Sequence, residues 1–152
     1  MTYDRTVQIA APPKTVFAVT ADHASWGSYG MKYLVDVKVD QPEDEQGWTQ
    51  STWHVQLGAR WKFSVRARHD LEHLTIHAQA ISGNGFFKSA EWNYQFLPSG
   101  EHTLMVVHFE WELGAGQLMA QMFEPLARVM WNDQVKVLAR VSEERARAAR
   151  SS

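Results

Sequence analysis

From Tyr33 to Leu113 apolar and polar residues alternate through long segments separated by very short turns, and this pattern constrains the chain more than any other feature. The segments are Tyr33–Val39, Trp48–Gln56, Ala59–His69, His73–Ile81, Phe86–Phe96 and Thr103–Leu113. Between them lie Gln41-Pro42-Glu43-Asp44, Leu57-Gly58, Asp70-Leu71, Ser82-Gly83-Asn84-Gly85 and Pro98-Ser99-Gly100. Parallel strands need a crossover of a dozen or more residues, so connections this short predict an antiparallel meander. A further strand, Thr6–Ala10, precedes it. Pro12-Pro13 then opens a short amphipathic helix carrying Val16, Phe17, Val19 and Thr20, which should stop near Asp22. A second short helix or turn carries Trp26 and ends around Gly27 to Gly30.

After Gly114-Ala115-Gly116 the period changes. Leu118, Met122, Leu126, Val129, Met130, Val137, Leu138 and Val141 recur at helical spacing, with Pro125 expected to kink the helix. Beyond about residue 142 the sequence is polar, and the tail is expected to fray. A sheet with one apolar face cannot be covered by its own turns, and only this C-terminal helix is large enough to do so. The prediction is an α+β, helix-grip fold. A curved antiparallel sheet of about seven strands wraps a long C-terminal helix, two short helices follow the first strand, and residues 1–152 form one domain. Because such a sheet twists strongly, it is expected to leave an internal cavity.

Composition narrows the functional classes. The chain has no cysteine, which excludes disulfides and thiol catalysis. Its formal net charge is -2 and it shows no basic run beside a Gly-rich motif, so nucleic acid is not an expected partner. No apolar stretch reaches the roughly 20 residues that cross a bilayer, and Met1-Thr2-Tyr3-Asp4-Arg5 lacks a signal-peptide pattern, so the expected location is the cytoplasm. Seven Trp, seven Phe and four Tyr admit two readings, a well-filled core or a ring-walled cavity for a flat or polyunsaturated ligand. No Gly-rich phosphate loop and no Gly-x-Ser-x-Gly elbow occurs. His69, His73 and His77 repeat every four residues, but on a strand that spacing is roughly 13 Å, too far for one ion bonded at about 2 Å. No metal is expected.

The segment from Ala11 to Trp26 (Ala-Pro-Pro-Lys-Thr-Val-Phe-Ala-Val-Thr-Ala-Asp-His-Ala-Ser-Trp) resembles the opening of the START/Bet v 1-like (SRPBCC) superfamily, in particular the single-domain bacterial polyketide aromatase/cyclases. Phe86 to Tyr94 is similar to the family strand that bears a pocket tryptophan, here Trp92. Tyr33 falls where the family carries a pocket tyrosine, and Asn132 lies close to a family asparagine facing the cavity. The resemblance implies a cofactor-free enzyme that binds a poly-β-ketone, one presented by an acyl carrier protein, and promotes aldol cyclisation and dehydration. The competing reading is a non-catalytic carrier of a hydrophobic aromatic or lipid-like molecule. A third is a protein–protein module with a filled core. The family's two pocket arginines fall here on Ala67 and Gln79. Arg66 and Arg68 are adjacent, and a one-residue bulge would turn either inward.

Cyclisation needs a bent chain, loss of a proton between two carbonyls, and stabilisation of the developing oxyanion. The candidate catalytic residues are Tyr33, as donor or proton relay, and Lys88, which by period two shares a face with Ala90, Trp92 and Tyr94 and is an acid or base if that face is inward. Trp26, Phe63 and Trp92 are expected to shape the substrate, with Gln79 and Asn132 as polar contacts. His54 and His77 are further titratable candidates, each with a satisfied or exposed histidine as the plainer reading. A homodimer through the exposed strands or the first helix is left open.

Overall fold

In the computed structural model, which describes residues 1–81, 87–113 and 117–151, the chain forms seven strands, two α-helices and one 3-10 helix. The strands are β1 Thr2–Ile9, β2 Leu34–Gln41, β3 Trp48–Leu57, β4 Ala59–Asp70, β5 Thr75–Ile81, β6 Phe87–Ser99 and β7 His102–Leu113. Helix α1 spans Pro13–Ala21, the 3-10 helix His23–Ser28, and α2 Gln117–Ser151. The sheet order is β1-β7-β6-β5-β4-β3-β2 with every pairing antiparallel, so a meander is closed on one side by the returning first strand. This is the helix-grip, START/Bet v 1-like architecture.

Alternation assigns each strand an inner and an outer face. On β4, Phe63, Val65 and Ala67 are buried while Lys62, Arg66 and Arg68 are exposed. On β3, Ser51, Trp53, Val55 and Leu57 turn inward, opposite Trp92, Tyr94 and Phe96 of β6 and Met105, Val107 and Phe109 of β7. Two glycines make the turns between these strands possible. Gly58, at φ +74, joins β3 to β4 with Leu57 and Ala59 already paired. Gly47, at φ +87, lies so close to the end of β4 that a Cβ there would sit 2.3 Å from the His69 carbonyl oxygen. The predicted turns at Ser82–Gly85 and Gly114–Gly116, and the first residue of the predicted strand at Phe86, lie outside the described residues.

The tail does not fray as expected. Helix α2 continues to Ser151 with Pro125 inside it, and its last turns are anchored. Ser142 and Ala146 are buried, Glu143 accepts a hydrogen bond from the Ala10 N–H at 2.9 Å, and Arg145 reaches the Tyr29 hydroxyl. The polar composition of this stretch misled the sequence reading because the buried stripe narrows to small residues, Ser142 and Ala146, which pack closely against α1. Val16, Phe17, Val19 and Thr20 of α1 are buried, the same residues that the sequence reading places on its inner face. No described helix is long and apolar enough to cross a membrane.

Candidate functional site

Between the 3-10 helix–β2 connection, the β3–β4 hairpin and the middle of α2 lies a recess lined by Met31, Tyr33, Leu34, Trp53, Val55, Phe63, Met130, Trp131, Asp133 and Gln134. Its open room is about 10 Å³, roughly what one water molecule needs. The open cavity expected from sheet curvature is therefore mostly filled, and the cause is the aromatic content. Trp131 stacks on Phe109 at 4.3 Å between ring centroids and touches Phe87, Trp92 and Trp111. Trp53 packs between Trp26, Phe63 and Trp92. Two of the lining residues, half-buried Met31 and buried Met130, are unbranched side chains that change shape at little cost.

The polar groups in this ring-walled interior fall into two sets. One set is paired. The Tyr94 hydroxyl donates to the Gln134 side-chain oxygen at 2.9 Å, and the Trp53 indole N–H donates to the Ser51 hydroxyl at 2.8 Å. Burial pushes the Tyr94 phenol far above its ordinary value, so it stays a neutral donor. The nearby Trp92 indole opposes part of that rise without completing a hydrogen bond. The other set is unpaired. The indole N–H groups of Trp92, Trp111 and Trp131 are buried with no acceptor among the described residues, although all three rings meet at Trp131. Two imidazole nitrogens, His23 Nδ1 and His69 Nε2, are buried and unpaired at the far end of the sheet. Burial first, then neighbouring His69, lowers the His23 pKa to about 3.

Tyr33 and Phe63 both line the recess, with Tyr33 half-buried at its rim and its carbonyl accepting from the Gln56 N–H at 2.7 Å. Trp92 stands behind the recess, 5.8 Å from Trp53 and 5.7 Å from Trp131. Trp26 is fully buried further back, donating to the Thr20 carbonyl at 3.1 Å and bracing Trp53.

Three candidates point elsewhere. Lys88 is exposed and paired with Glu112 at 3.3 Å, because a register shift between Phe87 and Ser89 breaks the alternation and turns Lys88 outward. Gln79 lies on the outer face, opposite Arg66 and Glu91, while its neighbour Ala78 is buried. Asn132 faces β1, where its side-chain oxygen accepts from Arg5 and, at 3.3 Å, from the Tyr3 hydroxyl. One residue along a helix is a turn of about 100°, so Trp131 and Gln134 share the inner face and Asn132 does not. β4 pairs with both neighbours in unbroken register, and no bulge brings Arg66 or Arg68 inside. His54, His73 and His77 lie along the outer side or its turns, bonded respectively to Asp36, Asp70 and Asn93. Among the described residues no group of three His, Asp or Glu side chains could hold a metal ion.

Gln134, Tyr94, Trp131, Asp133 and Arg5 escaped the sequence reading. Gln134 carried a usable signal: a polar residue at helical spacing between Met130 and Leu138 is either a defect in the apolar stripe or a placed hydrogen-bond partner. Tyr94 shares its face with Trp92, so the alternation already pointed it inward.

Solved structures resemble the whole chain. The Zhui aromatase/cyclase from Streptomyces sp. R1128 superimposes with a TM-score of 0.86 at 18% identity, covering 98% of this chain and 97% of that one. A protein from Thermus thermophilus, TTHA0849, gives 0.78 at 25% identity over 98% and 99%. A START superfamily protein from Mycobacterium smegmatis gives 0.74 at 16% identity over 97% and 98%. Comparison with curated proteins gives no match. Residues 1–143 match the family model described as polyketide cyclase / dehydrase and lipid transport, and the chain belongs to that family.

Proposed function

We propose that the protein binds an oxygen-rich aromatic molecule or poly-β-ketone chain in the recess beside Trp131 and promotes its aldol closure and dehydration. The observation that carries this reading is the buried indole N–H of Trp131, which lines the recess and has no acceptor among the described residues, a condition shared by Trp92 and Trp111 packed behind it. Each buried donor left without an acceptor costs about 1–3 kcal/mol. A hydrocarbon ligand leaves that cost in place, whereas carbonyl or phenol oxygens remove it. The rings supply stacking surface and the donors supply polarity, which together suit a flat, oxygenated ligand. Entry requires Met31 and Met130 to swing aside.

The chemistry such a recess supports is limited and well matched. A methylene between two carbonyls loses a proton, the resulting enolate carbon bonds to a distant carbonyl carbon, and that oxygen takes up a proton. Loss of water then gives the ring its double bond. Tyr33 at the rim donates to the carbonyl that becomes the alkoxide, and the carboxylate of Asp133, which also lines the recess and accepts from the Lys32 N–H at 2.9 Å, takes the methylene proton. The carrier reading keeps one specific observation in its favour: among the described residues that line the recess, none is an Arg, Lys or His.

Tryptophan fluorescence titrated with flat polyphenols and with a fatty acid of similar size tests the binding. Saturation by the polyphenols at micromolar concentration and a weaker response to the fatty acid are expected. Turnover of a poly-β-ketone thioester then tests the chemistry, with Tyr33→Phe expected to lower it about tenfold or more. Saturable binding without turnover in the wild type leaves a carrier, and no saturable binding removes both readings.

A further inference from the structure

The outer face of β4 carries Arg60, Lys62, Arg66 and Arg68, all exposed, in a row about 26 Å long at 3.3 Å per residue. The chain as a whole is slightly acidic, with net charge -2, so this concentration is not a reflection of bulk composition. No Asp or Glu occurs anywhere in β3 or β5, the strands on either side. Their outward residues beside the row are Gln50, His54, Gln56, His77, Gln79 and Trp48. Carboxylates further out are taken by other partners. Asp36 bonds His54 at 2.6 Å, Asp40 accepts from Thr52 at 2.6 Å, and Glu91 meets His77 at 3.1 Å. Among the described residues none of the four cations has an ion-pair partner.

The arginines are nevertheless held in place. Arg60 donates through Nε to the Gln56 side-chain oxygen at 3.2 Å, and Arg68 through Nε to the Gln46 carbonyl at 3.2 Å. Arg66 lies over the Trp48 ring at 4.0 Å. Neutral partners thus fix three guanidinium groups without cancelling their charge, and in Arg60 and Arg68 the terminal Nη groups remain to grip a carboxylate. Within each pair, Arg60/Lys62 and Arg66/Arg68, the side chains stand about 6.6 Å apart, close to the 5–6 Å between residues three or four apart on a helix, and Ser64 separates the two pairs.

We propose that this row is a docking surface for the acidic helix of a partner protein, one whose carboxylates recur about once per turn. The inference rests on the proposed function, whose poly-β-ketone is a reactive chain of the kind a carrier protein holds as a thioester. Arg60 and Lys62 lie at the β3–β4 hairpin end of the row, and Phe63 of the same strand lines the recess. The docked carrier is therefore placed one strand's thickness from the site it feeds.

The test uses the full chain and a purified acyl carrier protein as the acidic helical probe, with affinity read by calorimetry. Arg66→Glu/Arg68→Glu and Arg60→Glu/Lys62→Glu are each expected to weaken binding about tenfold or more, while Lys136→Glu on exposed α2 leaves it unchanged. Rising salt should weaken the wild-type complex and flatten in the double variants. Polyphenol titration of the same variants is expected to match the wild type, which shows that they fold and separates docking from ligand binding. Equal affinity in wild type and double variants overturns the proposal, as does absence of carrier binding in the wild type. A single-stranded 20-nucleotide DNA that competes with the carrier at equal affinity also overturns it, since the row is then an unselective polyanion platform. Carrier binding that survives when no polyphenol binds would sink the proposed function and leave the docking surface standing.

Discussion

Trp26 and Trp131 are both buried indoles on inward-facing helical surfaces, yet their surroundings differ in one decisive respect. At the α1 end of the molecule the indole, hydroxyl and guanidinium groups are answered from within, and the exceptions among the described residues are the ring nitrogens His23 Nδ1 and His69 Nε2. Trp26 donates to Thr20, Tyr29 donates to the Val19 carbonyl, Arg140 donates to the Tyr29 carbonyl, and Thr103 donates to Ala11. Around Trp131 three indole donors have no acceptor among the described residues. Satisfied rings hold a fold together, whereas under the proposed function the unanswered donors around Trp131 await ligand oxygens.

The largest effect expected at the scaffold end comes from acid. The folded pKa of His23, about 3, lies below its ordinary 6.5, so the unfolded chain accepts a proton that the folded chain refuses. This contribution to stability is complete above about pH 6.5 and is lost as pH falls towards 3, by up to about 5 kcal/mol in all. His69, lowered mainly by burial against the opposing pull of Glu43, acts in the same direction. Urea unfolding at pH 7 and pH 4 should show the loss in wild type and a much smaller one in His23→Phe. Equal losses would break the assignment.

Next in size is the contrast between the two tryptophans themselves. Trp26→Ala should cost about 3–5 kcal/mol in denaturant unfolding, the usual penalty for emptying a buried ring site. Trp131→Phe keeps most of the volume and removes an unpaired donor, so its stability change should stay within about 1.5 kcal/mol while polyphenol affinity falls about tenfold. If the costs are reversed, the division into scaffold and site is wrong. Tyr94→Phe sharpens it further: leaving the Gln134 oxygen buried and unpaired is expected to cost about 1–3 kcal/mol. The smallest effect belongs to Lys88→Ala, which breaks an exposed pair and should shift stability by less than about 1 kcal/mol with ligand binding unchanged.

Much of the architecture was legible because it rests on periodicity. Alternation from Trp48 to Leu113 set each strand's faces, and the short turns left only an antiparallel meander. The site was legible only in part. Tyr33 and Phe63 were reached through family resemblance and strand alternation. Lys88 was lost to a single-residue irregularity that no composition announces, and Asn132 to a rotation of one helical step. The tail beyond residue 142 looked unfit to pack because its buried positions, Ser142 and Ala146, are small rather than apolar and large. Filling of the cavity was one of the two readings that the aromatic count allows, and composition cannot choose between them, since the same rings that wall an open pocket also close it.

The most direct test of the central claim is a two-dimensional indole N–H spectrum, in which the seven tryptophans give seven assignable signals, titrated with a flat polyphenol. The account predicts that Trp92, Trp111 and Trp131 move downfield together and saturate as their N–H groups gain acceptors, while Trp26 stays still. Movement of Trp26 with the other three unmoved, or no saturable movement in any of the four, would contradict it.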